Sequence, residues 1–243
     1  MTTTVVDRFA DAVVLVTGAN GGLGKEFVRQ FLELGAAKVY ATARAPDQWD
    51  DPRVVPLALD VNDRRSVAEA AATAPDVTVL VNNAGALPAR ATLLDLTEDQ
   101  LRDGMETNFF APVLLAQAFA PVLRANAKTV LINVHSVASW YAYGGVYSAS
   151  KAALWSATNS LRLEFEPEGV HVVGVHMGYV DTPMAAGIDA PKLTPEELVQ
   201  GVLEAVNNGD YEVLADDISR RVKAGLAGPI SALYPHLRGA AQQ

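Results

Sequence analysis

Asp11-Ala12-Val13-Val14-Leu15-Val16-Thr17-Gly18-Ala19-Asn20-Gly21-Gly22-Leu23-Gly24 joins a short β-branched run to a cluster of glycines. Beyond it, apolar residues recur at helical spacing at Leu23, Phe27, Phe31 and Leu34, and Gly35 ends the pattern. The stretch reads as strand, glycine turn and helix. In that context Gly18 permits the tight turn, Gly22 lets backbone approach a pyrophosphate, and Gly24 lets the helix pack on the sheet. Free N–H groups at the helix start face the anion. This is the setting that a dinucleotide-binding fingerprint requires.

Downstream the alternation repeats. Strands are expected over Lys38 to Thr42, Val54 to Leu59, Val77 to Val81, Thr129 to Val134 and Val170 to Val175. Helices are expected over Ser66 to Thr73, near Glu98 to Leu123, and over Tyr147 to Glu166. The order predicts an α/β fold, a doubly wound parallel sheet flanked by helices on both faces. Pro56 removes a ladder donor from the third strand, which therefore belongs at a sheet edge, its place in the doubly wound order 3-2-1-4-5-6. Thr97-Glu98-Asp99-Gln100 and Thr194-Pro195-Glu196-Glu197 are capping boxes, and Tyr211 to Leu214 supplies a last strand. No repeat or long linker interrupts the chain, so residues 1–243 are expected to form a single domain. The alanine-rich segment 183–191, interrupted by Gly187 and Ile188, reads as a mobile substrate flap, and the tail from Gly239 as frayed.

Composition narrows the chemistry. Half of the 243 residues are apolar and 19% are charged, as in soluble globular proteins. No apolar run approaches the roughly 20 residues of a membrane span, and Met1-Thr2-Thr3-Thr4 lacks the basic start of a signal peptide, so a cytoplasmic location is expected. Without cysteine, disulfides, thiolate nucleophiles and thiol metal sites are excluded. A net charge of −9 argues against nucleic acid and anionic membrane as partners. His171, His176 and His236 show no metal-ligand spacing on a common face, and no metal is expected.

A second cluster carries reactive groups. If Tyr147 in Tyr147-Ser148-Ala149-Ser150-Lys151 opens a helix, Lys151 lies one turn on along the same face. A cation near the phenol oxygen favours the phenolate and lowers the phenol pKa, which suits Tyr147 to exchange a proton during a reaction. Ser136, just past the apolar run Val130 to Val134, would hold a substrate oxygen.

Thr17-Gly18-x-x-x-Gly22-x-Gly24, Asp60, Asn82-Asn83-Ala84-Gly85, Asn108, Ser136 and Tyr147-x-x-x-Lys151 resemble, in identity and order, the short-chain dehydrogenase/reductase family in its compact form. The resemblance covers nearly the whole chain. It implies a Rossmann-type domain that transfers hydride between a nicotinamide dinucleotide and a carbonyl/hydroxyl pair. It assigns Tyr147 as general acid/base, Ser136 as the group that orients the substrate oxygen, and Lys151 as the ligand of the nicotinamide ribose. Asn108 would anchor a proton-relay water in a helix kink. Gly18, Asn20, Gly22, Leu23 and Gly24 would cradle the cofactor, Asp60 and Val61 would touch its adenine, and Asn82, Asn83, Ala84 and Gly85 would support it. Val180 and Thr182 would hold the carboxamide. In proteins that this chain resembles, the helix carrying Ala149, Ala152, Ala153, Trp155, Ala157 and Ser160 pairs with a partner subunit, which implies a homodimer or homotetramer.

Departures from the family pattern carry further expectations. Met177 replaces a usual proline and should loosen the turn before Gly178. His135 stands where a second serine is common, as a neighbour packed beside the site. Ser139 rivals Ser136, with the family spacing favouring Ser136. Ala43 holds the place, about 20 residues past the glycine turn, where an acidic side chain would bind a ribose hydroxyl and repel a 2′-phosphate. Arg44 follows it. A guanidinium grips phosphate through two parallel N–H bonds, so NADP(H) is expected over NAD(H), unless Arg44 pairs with Asp47 or Asp50.

Trp140, Tyr141, Tyr143, Leu87, Pro88, Tyr179 and Met184 flank the motifs on loops beyond the strand ends. They point to an apolar, aromatic pocket for a small neutral ketone or secondary alcohol, as in a carbonyl reductase. Two other readings stand beside it. One is an NAD-linked alcohol dehydrogenase of the same fold. The other is a silent dinucleotide-binding module, which should have lost members of the set Asn108, Ser136, Tyr147 and Lys151.

Overall fold

The computed structural model describes residues 7–87 and 92–237. Its first half runs β1 (Val13–Thr17), α1 (Gly22–Glu33), β2 (Lys38–Ala43), β3 (Val54–Ala58), α2 (Arg64–Thr73), β4 (Val79–Asn82) and α3 (Glu98–Met105). The second half runs α4 (Ala111–Ala125), β5 (Val130–Val134), α5 (Val146–Phe165), β6 (His171–His176), α6 (Pro195–Asn208), β7 (Glu212–Leu214), α7 (Asp217–Gly225) and the single turn α8 (Ile230–Leu233). The strands pair in parallel in the order β3-β2-β1-β4-β5-β6-β7. Pro56 sits on edge strand β3 opposite Ala41, where a missing N–H costs little.

Successive side chains of a strand point to opposite faces, and both faces are covered. Val14 and Val16 of β1 pack in one apolar cluster with Phe27 and Phe31 of α1 and Val199 and Val202 of α6. Leu15, between them, joins the other cluster with Leu115, Phe119 and Leu123 of α4. This two-sided burial explains why β4 and β5 are apolar almost throughout.

Both capping boxes form, Thr97 with Gln100 at α3 and Thr194 with Glu197 at α6. The helix expected near Glu98 to Leu123 is broken by a π-turn at Glu106–Phe110. Pro112 has no N–H to offer the Asn108 carbonyl four residues back, so the ladder widens there. By length and composition the 28-residue stretch Glu98–Ala125 passes for a membrane span, which the sequence pattern did not suggest; its apolar face, Leu115 to Leu123, packs on the sheet. Helices α7 and α8 were not foreseen from the sequence. Met1-Thr2-Thr3-Thr4, Pro88 and the tail from Gly239 lie outside the described residues.

Candidate active site

The C-terminal ends of the strands open into one cleft of about 1710 Å³. A doubly wound sheet places its ligand there, where β1 and β4 part company in opposite directions. Thr17 stitches that seam. Its hydroxyl donates to the Val81 carbonyl at 3.1 Å and accepts the N–H groups of Asn83 and Ala84, each at 2.9 Å. The Asn83 amide donates to the Thr17 carbonyl at 2.7 Å. From the sequence Thr17 was read as the first residue of the glycine motif, with no bonding role of its own.

The glycine turn is shaped as a dinucleotide needs. Gly18 has φ +67°, and a Cβ at Gly24 would lie 2.2 Å from the Gly18 carbonyl oxygen. A Cβ at Gly22 would lie 2.9 Å from Thr182, so the turn and the segment after β6 close on the cleft together. Gly18, Asn20, Gly22, Leu23, Gly24, Arg44, Asp60, Val61, Asn83, Ala84, Gly85, Val180 and Thr182 all line the cleft. Asn20 lines it while its side chain is committed elsewhere: it donates to the Ala45 carbonyl and Asp47 and accepts the Asp47 N–H, clamping the loop after β2. Lys25 also pairs with Asp47, at 2.9 Å. Arg44 makes no ion pair among the described residues, so the expected rivalry of Asp47 for it is not seen. Asn82 is corrected. It turns away from the cleft and joins Asn133 at 2.9 Å and the Pro112 carbonyl at 3.1 Å.

Ser136, Tyr147 and Lys151 meet on the floor of the same cleft. Ser136, not Ser139, faces it; Ser139 is buried behind the 3₁₀ turn Val137–Ser139. Helix α5 carries Tyr147 and Lys151 on one face, as the spacing requires. The electrostatics differ from expectation. Burial raises the Tyr147 phenol above its ordinary value, and only the Ser136 hydroxyl opposes that. The Lys151 ammonium donates to the Val134 carbonyl at 2.9 Å and lies 5.9 Å from the centre of the Tyr147 ring, and burial pulls its pKa down to about 8. The cation is therefore near the phenol without depressing it.

Asn108 reaches this region from the π-turn. Its amide takes both polar groups of Ala86, accepting the N–H at 3.0 Å and donating to the carbonyl at 2.9 Å. The side chain is thus a brace.

Leu87, Leu93, Tyr143, Tyr179, Met184 and Ile188 line the outer end of the cleft. Burial pushes the Tyr143 phenol up to about 12, so it stays a hydrogen-bond donor. Trp140 and Tyr141 are corrected: neither lines the cleft, Trp140 being buried against His176 and Tyr141 stacked on Tyr234 at 5.1 Å. His135 is buried, lines the cleft floor and shares a 3.1 Å contact with Thr158. The turn after Met177 is tied across the fold. Asp216, at the start of α7, accepts the Gly178 N–H at 2.6 Å and caps α7 through Ser219, a tie with no sequence signal before α7 is known.

A parallel sheet with a glycine turn at its seam and a serine–tyrosine–lysine set on its floor defines a dinucleotide-binding fold of the Rossmann class. The sequence model of the family described as short chain dehydrogenase matches residues 12–192, and the chain belongs to that family. A solved short chain dehydrogenase from Burkholderia cenocepacia J2315, in complex with NADP, superposes with a TM-score of 0.87 at 37% identity, over 94% of this chain and 98% of that one. NADPH-bound carbonyl reductase from chicken fatty liver superposes at 0.76 with 31% identity, over 82% and 92%. The NADPH-dependent 1-acyldihydroxyacetone phosphate reductase of Schizosaccharomyces pombe is 36% identical over 184 residues, which span 71% of this chain and 61% of that protein.

Proposed function

We propose that the protein is an NADPH-dependent carbonyl reductase acting on a small neutral ketone, or on the matching secondary alcohol in reverse. The observation that carries this is the meeting of Ser136, Tyr147 and Lys151 at the point where the dinucleotide cradle runs into an apolar pocket. The glycine turn, Arg44 and the Asn83–Gly85 segment fit the cofactor, which when bound supplies the hydride. Ser136 donates to the carbonyl oxygen of the substrate and holds it. Tyr147 gives that oxygen its proton, and Lys151 holds the cofactor ribose beside it. Among the described residues, the outer end of the pocket offers no lysine or arginine to a charged substrate, and its one acid, Asp95, would repel an anion. The apolar lining and this acid support a neutral substrate over the phosphorylated ketone in the yeast relative's name.

Arg44 supports NADPH over NADH, because its guanidinium, unpaired among the described residues, lines the cleft beside Ala43 at the end of β2 and could grip a 2′-phosphate. One charge-assisted contact is worth roughly 1.5–3 kcal/mol, which corresponds to roughly 10- to 150-fold discrimination. The test is NADPH oxidation against a panel of aliphatic, aromatic and steroidal ketones, with kcat/KM for both cofactors in wild type, Arg44→Ala and Ala43→Asp. Wild-type preference for NADH, or an unchanged ratio in Arg44→Ala, would show that Arg44 does not read the phosphate.

A flap at 183–191 completes the pocket in this proposal. Gly187 at φ +75° and half-exposed Met184 support it. A homodimer or homotetramer through α5 is supported by Leu163 of that helix, 78% exposed, and by Phe110, 43% exposed, at the start of α4. Sedimentation of Leu163→Glu beside wild type tests it. A cytoplasmic location rests on composition.

A further inference from the structure

Beneath Ser136 lies a column of rings that the reaction as described does not use. His176 of β6 is sandwiched between His135, centroid 4.7 Å away and 6° from parallel, and Trp140, 3.9 Å away and 17° from parallel. Trp155 closes the column edge-on at 5.9 Å. His135, His176 and Trp140 are all buried. Gly174 makes the room, since a Cβ there would lie 3.1 Å from the His135 ring.

The hydrogen bonds of this column fix a tautomer. His176 Nδ1 lies 3.2 Å from the Ser136 carbonyl oxygen. A carbonyl only accepts, so Nδ1 carries the proton and Nε2 is bare. Bare Nε2 faces Glu212 Oε1 at 3.5 Å and has no hydrogen-bond partner. Nε2 makes no hydrogen bond to Glu212, whose Oε1 accepts the Trp155 N–H at 3.3 Å and whose Oε2 pairs with Lys223. Burial pulls its pKa down to about 3 against the pull of the Ser136 carbonyl, and Lys223 of α7 and Lys151 and Arg162 of α5 also oppose a charge on it, while the stacked His135 is itself held neutral by burial. A neutral ring in one tautomer therefore points one N–H at one carbonyl.

We propose that His176 is a positioning residue: through Nδ1–H it fixes the peptide that follows Ser136, and so the direction in which the Ser136 hydroxyl meets the substrate oxygen. The proposal rests on the carbonyl reductase reading. Ser136 is extended, at φ −173° and ψ 163°, at the junction of β5 and the 3₁₀ turn. Its carbonyl is held from two sides, by the Ser139 N–H at 3.1 Å and by His176. Its hydroxyl accepts the Ala138 N–H at 3.2 Å and so follows that peptide. The Val137 N–H of the same peptide donates to the Met177 carbonyl at 2.7 Å. With the His176 hold removed, the peptide can tilt about that remaining bond, and the hydroxyl shifts off its line.

The test separates the donor from the ring. His176→Phe keeps a stacking ring and removes the donor, while His176→Asn removes the ring but places Nδ2 as many bonds from Cα as the imidazole Nδ1. Loss of one hydrogen bond to a buried acceptor predicts a fall in kcat of roughly 5- to 30-fold for His176→Phe, with KM and NADPH affinity little changed. His176→Asn should restore most of it. In a Ser136→Ala background, His176→Phe should lower kcat no further. Asparagine as damaging as phenylalanine, or a full extra loss without the Ser136 hydroxyl, would overturn the proposal. Nitrogen NMR of the wild type should show protonated Nδ1 and bare Nε2 at neutral pH; an Nε2–H tautomer would overturn the proposal in a fully active enzyme. Wild type that binds NADPH and reduces no ketone overturns the carbonyl reductase reading, and this proposal with it.

Discussion

Tyr147 shows what a motif leaves out. Its partners were legible because helix periodicity alone sets Lys151 on its face, and because Ser136 follows a strand whose end must reach the cleft. Its protonation was not, because burial depends on how the cleft floor is packed. Tyr147→Phe should retain NADPH binding and lose turnover by at least ~10²-fold; unchanged turnover would remove Tyr147 from the chemistry. Burial favours the neutral phenol, which is the form that donates a proton to a ketone. Alcohol oxidation needs the phenolate, so the optimum for reduction should lie on the acid side of that for oxidation. Lys151 adds a second limb. With its pKa near about 8, it keeps its charge below that value and loses it above. Cofactor affinity should therefore weaken as pH rises through that range, and Lys151→Met should abolish that weakening. Titrations of wild type and Lys151→Met with NADPH decide it.

Elements were legible where the signal is local. Thr97 and Thr194 announce helix starts because a hydroxyl three residues before a Gln or Glu satisfies two orphan N–H groups at once. The break at Glu106–Phe110 was hidden, because it needs Pro112 to be read as the absent donor for Asn108. Helix α7 was missed because Asp217–Gly225 has a strongly polar sequence, and its anchor Asp216 works across the fold on Gly178. Contact between α3 and α5 yields a prediction against propensity. Replacing a helix glycine by alanine ordinarily stabilises by about 1 kcal/mol. A Cβ at Gly104, however, would lie 2.6 Å from Val146, the residue before Tyr147. Gly104→Ala should lower both Tm and kcat, and adding Val146→Ala should recover Tm. A more stable Gly104→Ala would show that α3 can shift freely.

For the molecule as a whole, strand order followed from alternation and from Pro56, since few topologies satisfy both. His135 was expected to pack beside the site, but the burial of His176 could not be foreseen, and the two imidazoles contribute to its response to acid. His135 and His176 are held neutral, their pKa values depressed chiefly by burial. The unfolded chain takes up those protons near pH 6.5, and the folded His176 only near about 3. Stability is therefore highest above that window and should fall as pH drops through it. Urea unfolding should show this fall in wild type and a shallower one in His176→Phe; equal slopes would contradict it.

The seam at Thr17 has a further consequence, for the order in which the protein is made. The ribosome delivers β1, β2 and β3 as a run, but β1 lacks its other neighbour until β4 and the Asn83 amide emerge. Until then β1, an interior strand of the finished sheet, has one open flank, and the bonds from Thr17 to Val81, Asn83 and Ala84 cannot form. A ligand lying across both halves binds only the closed seam, so it acts as a late clasp on a chain assembled from two pieces. Amide exchange with and without NADPH would read this directly, with the largest slowing in β1 and β4 and little at the outer strands.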